Sequence, residues 1–391
     1  MTLRVLPFVT LLLCTCAPLS PVLDGGLLPV DPSPGPIDAG VTDGGLVDAG
    51  PVDAGRPDGG SSAARPDAGW RRLPTVAFNG KQDDVHFIDA QRGWYANGAG
   101  FVYRTTNGGE SWQEVLRKPG TYWRALGFVD EQVGVLGNIG TNVFPGVTDP
   151  EPLYLTTNGG MTVTPVTSSG PKAEGICAVD VLRHPGGVLI HAAGRVQGPA
   201  HVMRSTDLGQ TWTTTDLSAS IAMVTDVKFL TPDVGFIAGG SSPDIASSRA
   251  VIIKTSNGGQ TWTKVYESAR GAELVWKLSF PSAQVAYATV QTYDGARAEQ
   301  VVAKSTNGGD TWVELPLVRE AGARQLGIGF VDESTGWVGT VRGGFQTTNG
   351  GATWERVSFG TAVNKVRVVP TASGFVAFAI GVEVFKLEVT R

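Results

Sequence analysis

From Trp70 onward the chain is built from short apolar runs that are separated by turn residues. An apolar run leads into a turn that usually carries Asp and Gly, and an aromatic residue often opens the next run. This pattern predicts two strands that are joined by a tight turn. The phrase occurs seven times, at 87–94, 128–134, 181–188, 229–236, 280–287, 330–337 and 368–375.

A second, polar phrase reads Ser/Thr-x-Asn/Asp-x-Gly-x-Ser/Thr-Trp, and we call it the box. It is intact at 105–112, 205–212, 255–262, 305–312 and 347–354, and a copy at 156–163 has lost its tryptophan. Asn or Asp can hydrogen-bond to the backbone two residues on, and the glycines accept positive φ, so the box predicts a tight hairpin. We expect the tryptophans to be buried beneath the turn and between units. The residues in these structural roles are Asn107, Trp112, Asn158, Asp207, Trp212, Asn257, Trp262, Asn307, Trp312, Asn349 and Trp354.

Together the two phrases define a unit that recurs about every 46 residues. Two strands come from the apolar phrase and two from the flanks of the box, which predicts an all-β, seven-bladed β-propeller over residues 70–391. The last unit, at 366–387, has room for three strands, and residues 68–73 look like the tail of a box with its outer strand. We therefore expect the N-terminal strand to complete the last blade and close the ring, which removes exposed sheet edges.

The box resembles the Asp-box, or bacterial neuraminidase repeat. Its alternation with the apolar phrase over 70–391 most resembles the photosystem II assembly and stability factor family. The resemblance implies a single propeller that binds a protein. That family holds an unassembled membrane protein on an arginine-bearing face, but no sequence motif marks the face, so none of its residues is transferred to this chain.

The N-terminal segment indicates export. Residues 1–16 resemble a lipoprotein signal peptide, in which Leu13-Cys14-Thr15-Cys16 is similar to a lipobox. Cys16 is the expected acylation site because Leu13 is too bulky to precede an acylated Cys14, and Ala17 favours the outer membrane; the alternative is ordinary cleavage nearby. Residues 17–69 cycle through Asp-Ala-Gly and Asp-Gly-Gly with few apolar side chains, which predicts a disordered linker.

Charge and composition exclude several functions. The formal net charge is -5, and because residues 17–69 carry eight Asp against two Arg, residues 70–391 are neutral overall. A neutral domain has no electrostatic footprint for nucleic acid. The four histidines lack ligand-type spacing and the sequence has no phosphate-binding loop, so we expect neither a metal nor another cofactor.

An enzyme is the alternative interpretation, since Asp-boxes also occur in sialidases and in xyloglucan-type glycoside hydrolases. The chain has no Arg-Ile-Pro motif of the sialidase type, and it has room for one propeller where the xyloglucan enzymes place their carboxylates between two. Paired carboxylates for glycoside hydrolysis could still meet on one face. The acids that qualify are Asp244, Glu273, Asp294, Glu299 and Glu320.

A binding face is predicted from loop length. Four adjacent units have longer connections between their second and third strands, at 139–152, 192–201, 240–250 and 292–300, opposite the boxes. The crossings between units should emerge on the same face with aromatic and basic residues, which are typical interface anchors. The candidates are Trp123, Arg124, Arg270, Trp276, Lys277 and Arg324, unless they are solvated loop residues and the tryptophans pack within their strands. We therefore expect a non-catalytic, lipid-anchored protein that binds a protein or an acidic peptide, with a carbohydrate-active propeller as the alternative.

Overall fold

A computed structural model of the chain describes residues 69–76, 78 and 80–390. The predicted signal peptide with Cys16, and the predicted linker up to residue 68, lie outside this part. Every regular element of the described residues is a β-strand. The strands form four-stranded antiparallel sheets, which confirms the all-β prediction.

The short strand β1 (Arg71–Arg72) precedes three sheets, each of which is formed by strands that are consecutive along the chain. Sheet 1 comprises β2 (Gln82–Phe87), β3 (Gly93–Asn97), β4 (Phe101–Thr105) and β5 (Gln113–Arg117). Sheet 2 comprises β6 (Trp123–Phe128), β7 (Gly134–Asn138), β8 (Leu153–Thr156) and β9 (Thr164–Pro165). Sheet 3 comprises β10 (Ser168–Ser169), β11 (Ala178–His184), β12 (Gly187–Gly194), β13 (His201–Ser205) and β14 (Trp212–Asp216).

Four more sheets follow in the same manner. Sheet 4 comprises β15 (Met223–Phe229), β16 (Gly235–Gly240), β17 (Ala250–Thr255) and β18 (Thr263–Glu267). Sheet 5 comprises β19 (Glu273–Ser279), β20 (Ala286–Thr292), β21 (Glu299–Ser305) and β22 (Val313–Arg319). Sheet 6 comprises β23 (Gln325–Phe330), β24 (Gly336–Thr340), β25 (Arg342–Thr347) and β26 (Glu355–Thr361), and sheet 7 comprises β27 (Lys365–Thr371), β28 (Gly374–Ile380), β29 (Val384–Thr390) and β1.

Two details depart from a uniform repeat. Sheet 3 has a fifth strand because Ser168–Ser169 runs parallel to β14, where the Thr214 hydroxyl bonds to Ser168 at 2.9 Å. Sheet 7 takes its fourth strand from the N-terminal side, with Arg71 opposite Lys386 in an antiparallel pair. Trp70, which leads into this strand, is 2% exposed and stacks on Phe359.

The outermost strand of each sheet is the least buried one. The strands at the opposite edge of the sheets, which we call inner strands, contact one another in the order β2, β6, β11, β15, β19, β23 and β27, and β27 in turn contacts β2. All six residues of β6 are buried, whereas β5 has no buried residue. The inner strands are largely covered and carry both apolar and charged residues, while the outer strands keep polar residues toward water.

The box turns have one geometry. In the first, the Thr105 hydroxyl accepts the Gly109 amide at 2.9 Å, and the Asn107 carboxamide accepts the Ser111 amide at 3.0 Å. Gly108 and Gly109 have φ of 69° and 88°, which glycine adopts without strain. The Trp112 ring lies edge-on to Phe87 of the inner strand, an arrangement that recurs in sheets 4, 5 and 6.

Candidate functional site

Four of the six predicted binding residues are buried. Trp123 and Trp276 are 0% and 1% exposed, and Arg124 and Lys277 are 4% and 5% exposed. The Trp123 indole donates to the Gly100 carbonyl at 3.0 Å within the core of sheets 1 and 2. These four side chains therefore do not form an exposed face, contrary to the sequence-based expectation.

Bulges in the inner strands explain this difference. Asp83 and Arg124 are extra residues at register shifts in β2 and β6, and Trp276 with Lys277 lies at a shift in β19. A bulge interrupts the alternation of faces and redirects the side chain of the extra residue. Here the bulges direct side chains toward the centre of the domain. The Arg124 guanidinium accordingly lies 5.1 Å from the centre of the Trp276 ring, although sheets 2 and 5 are not neighbours.

The redirected side chains form a buried group that we call the central cluster. Asp83 binds Arg124, and it accepts a hydrogen bond from the Lys81 ammonium at 2.5 Å. Lys365 and Asp84 lie 2.5 Å apart, and Lys277 lies 3.6 Å from Asp226. With the half-exposed Arg367 near Asp84, the central cluster holds five cations and three carboxylates: Lys81, Arg124, Lys277, Lys365, Arg367, Asp83, Asp84 and Asp226.

Burial and neighbouring charges have opposite effects on the pKa values of the central cluster. Burial raises the pKa of Asp84, but the charges of Lys365 and Arg367 outweigh this and hold the pKa below its ordinary value. Burial lowers the pKa of Lys365 to about 7, although Asp84 opposes the shift. Burial likewise lowers the pKa of Lys277.

The aspartates of the inner strands link neighbouring sheets. Asp84 of sheet 1 accepts the Leu126 amide of sheet 2 at 2.8 Å, and Asp226 of sheet 4 accepts the Leu278 amide of sheet 5 at 2.9 Å. Asp180 of sheet 3 accepts the Phe229 amide of sheet 4 at 2.8 Å. These carboxylates satisfy backbone donors of the neighbouring inner strands, so their role is structural.

The accessible surface near the cluster is at the end of the sheets opposite the boxes, which we call the loop end. Here lie the long connections at 139–152, 195–200, 241–249 and 293–298, as predicted. Partly buried apolar side chains from several sheets pack against Trp276 and Leu326 and form a rim. The rim residues are Val196, Tyr293, Val341 and Val382.

Three arginines at the loop end have no counterion among the residues that the structure describes. Arg249 and Arg342 are exposed, and Arg324 is partly exposed with its guanidinium 4.9 Å from the centre of the Tyr293 ring. None of the three side chains forms a hydrogen bond or an ion pair with a residue that the structure describes. Arg270, by contrast, binds Glu273 and Glu314 at 2.7 Å each. The loop end thus presents positive charge beside apolar surface.

The acids that could act in glycoside hydrolysis are mostly bound to arginine. Glu273 is 2% exposed between Arg270 and Arg297, which also lies 3.6 Å from Asp294. Glu299 binds Arg319 at 2.6 Å, and Glu320 binds Arg356. Asp244 accepts the amide of Ala246.

Other kinds of site are not supported by side-chain geometry. No group of three or more His, Cys, Asp or Glu that could hold a metal ion occurs in the described ranges. The free thiol of Cys177 is buried. In the same part of the chain, no helix is long and apolar enough to cross a membrane.

Comparisons with known proteins bear on the fold. No family model and no curated protein sequence matches the chain. Solved structures do match: YCF48 bound to a D1 peptide has a TM-score of 0.59 at 16% identity, over 83% of this chain and 99% of that chain. The GH74 enzyme of Niastella koreensis has a TM-score of 0.54 at 16% identity, over 77% of this chain and 51% of that chain. The WD40 β-propeller domain of Doa1 has a TM-score of 0.54 at 11% identity, over 81% of this chain and 95% of that chain. The fold is therefore a β-propeller, and at these identities the likeness extends to the fold alone.

Sequence reasoning missed several residues of the loop end. Arg249 and Tyr293 lie in or beside the long connections, so loop length was the signal that could have found them. Arg342 follows a one-residue turn and carries no such signal.

Proposed function

We propose that the chain is a non-catalytic, exported lipoprotein whose seven-bladed Asp-box propeller binds an acidic peptide or protein segment at its loop end. Seven sheets in the described residues, the contact of β27 with β2 and the pairing of β1 with β29 support a closed ring. The lipid anchor at Cys16 and the outer-membrane location rest on the signal sequence.

The observation that carries the binding role is the set of arginines without counterions beside the apolar rim. Arginines at an interface bind carboxylates in a bidentate manner, and aromatic and aliphatic neighbours exclude water from such contacts. A ligand that matches this surface alternates acidic and apolar side chains. The likeness of the fold to a propeller that was solved with a bound peptide agrees with this class of ligand.

The test uses a fluorescent peptide of alternating Glu and Leu, with a Lys–Leu peptide as the charge-reversed control. Changing Arg249, Arg324 and Arg342 together to Ala should weaken binding of the acidic peptide at least tenfold. The matched control changes Arg92, Arg183 and Lys264 to Ala, which removes three positive charges at the box end of the sheets. Equal weakening by both sets, or equal binding of both peptides, would refute the proposed face.

A carbohydrate-active propeller is the second candidate, favoured by the likeness to GH74 enzymes. We expect no release of sugar from β-glucans or sialosides, because the acids at the loop end are mostly bound to arginine. Turnover that is abolished by Asp244→Asn or Glu273→Gln would establish the second candidate instead.

A further inference from the structure

A ring and a cation lie opposite each other on the second and third strands of several sheets. In sheets 1, 4, 5 and 7 the cation lies 5.4, 5.4, 5.1 and 5.9 Å from the ring centre. These ring–cation pairs are Trp94–Arg104, Phe236–Lys254, Tyr287–Lys304 and Phe378–Lys386. Each cation also has a polar partner, respectively Glu131, Asp310, the Gly350 carbonyl and Glu388.

Sheet 3 departs from this pattern. His191 takes the place of the ring and stacks on Phe229 of sheet 4, with ring centres 3.6 Å apart, and Arg204 lies opposite it. His191 is 1% exposed, and neither of its ring nitrogens has a hydrogen-bond partner. Arg204 has a buried Nε without a partner, and its side chain makes no hydrogen bond or ion pair within the described residues.

A cavity of about 220 Å³ opens beside these two side chains, between sheets 3 and 4. Its lining includes His191, Arg204, Val202, Thr215, Gln260 and Trp262. The volume lies below the roughly 300 Å³ of the smallest common ligand pockets. It exceeds the roughly 150 Å³ of an apolar cavity that accepts benzene, so the volume is sufficient for a molecule with one ring.

The lining defines the chemistry of the ligand. Burial lowers the pKa of His191 to about 4, so the imidazole is neutral at pH 7 and forms an uncharged wall of the cavity. The guanidinium of Arg204 is a fixed fork of donors that matches a carboxylate. Val202, Phe229 and Trp262 supply apolar walls.

We propose that the cavity between sheets 3 and 4 binds a small carboxylate with an apolar ring or chain, with the carboxylate at Arg204 and the apolar part against the cavity walls. Box residues of sheet 4 line the cavity, so it lies at the end opposite the loop end and does not depend on the peptide-binding proposal.

The probes separate charge from apolar contact. Benzoate supplies both, benzyl alcohol keeps the ring without the charge, and inorganic phosphate keeps a charge without the ring. Titration of the whole chain, followed by NMR shifts of the Trp262 indole, should show saturable binding of benzoate and at least tenfold weaker binding of the other two. Absence of benzoate binding, or equal binding of benzyl alcohol, would overturn the proposal.

The test variants replace His191 and Arg204 by the residue types found at the equivalent positions of another sheet. His191→Phe with Arg204→Lys recreates the pair of sheet 4, so it should weaken benzoate binding at least tenfold while the melting temperature stays the same or rises. Arg204→Gln alone should weaken binding to a similar degree. Lys254→Gln, at the equivalent position one sheet further on, should leave benzoate affinity unchanged. Unaltered affinity in the double variant, or an equal loss in Lys254→Gln, would refute the site.

Discussion

At the scale of single residues, burial separates the aromatic and basic side chains that the sequence groups together. Trp123 fills the core between two sheets, whereas Arg324 lies at the surface against Tyr293. Both belong to the stretches that cross between units, and their types alone are compatible with either environment.

We expect Trp123→Ala to lower the free energy of unfolding by about 3–5 kcal/mol, because it removes a fully buried ring and leaves a cavity. Arg324→Ala should change it by less than about 0.5 kcal/mol, as is usual for surface positions. Urea unfolding of both variants measures the difference. A stable Trp123→Ala protein would show that this ring is not part of the core.

The pKa of His191 predicts a dependence of stability on pH. Its folded pKa of about 4 lies below its unfolded value near 6.5, so the unfolded chain binds more protons between these values. The contribution of neutral His191 to the free energy of unfolding is fully present above pH 6.5. It is lost as the pH falls toward 4, where the loss approaches about 3 kcal/mol. The melting temperature should fall less steeply between pH 7 and pH 4 for His191→Phe than for the wild type. Parallel curves of melting temperature against pH would contradict a lowered pKa of His191.

At the scale of elements, irregular features of the strands decide which side chains meet. Bulges in β2, β6 and β19 direct Asp83, Arg124 and Lys277 to the centre. The two residues of β1 likewise complete sheet 7 from the opposite end of the domain.

Deletion of residues 69–73 should destabilise the protein by more than about 5 kcal/mol, because it removes Trp70 and Leu73, which are 2% and 1% exposed, and uncovers β29. Deletion of 17–60 should leave the melting temperature unchanged, because the sequence predicts a solvated linker there. Scanning calorimetry compares the two. Equal melting temperatures would mean that β1 does not hold the last sheet.

At the scale of the whole molecule, the proposal joins a lipid anchor, a linker and a propeller. Cys16→Ser should move the protein from the membrane to the soluble fraction, because one acylated cysteine is the anchor that the sequence predicts. Fractionation after a high-salt wash provides the measurement, and Cys14→Ser is the matched control. Retention of Cys16→Ser on membranes would place the anchor elsewhere.

The sequence by itself determined the strands and their four-stranded antiparallel units. Those features depend on local chemistry: the glycines and Asn107 of a box turn, and the apolar runs beside it, act within a few residues of one another. Only the tertiary structure decided that Arg124 is buried beside Trp276, that Arg249, Arg324 and Arg342 lack counterions in the described part of the chain, and that His191 borders a cavity. Each of these depends on contacts between distant sheets and on bulges that shift the register by one or two residues, which periodicity along the chain does not encode.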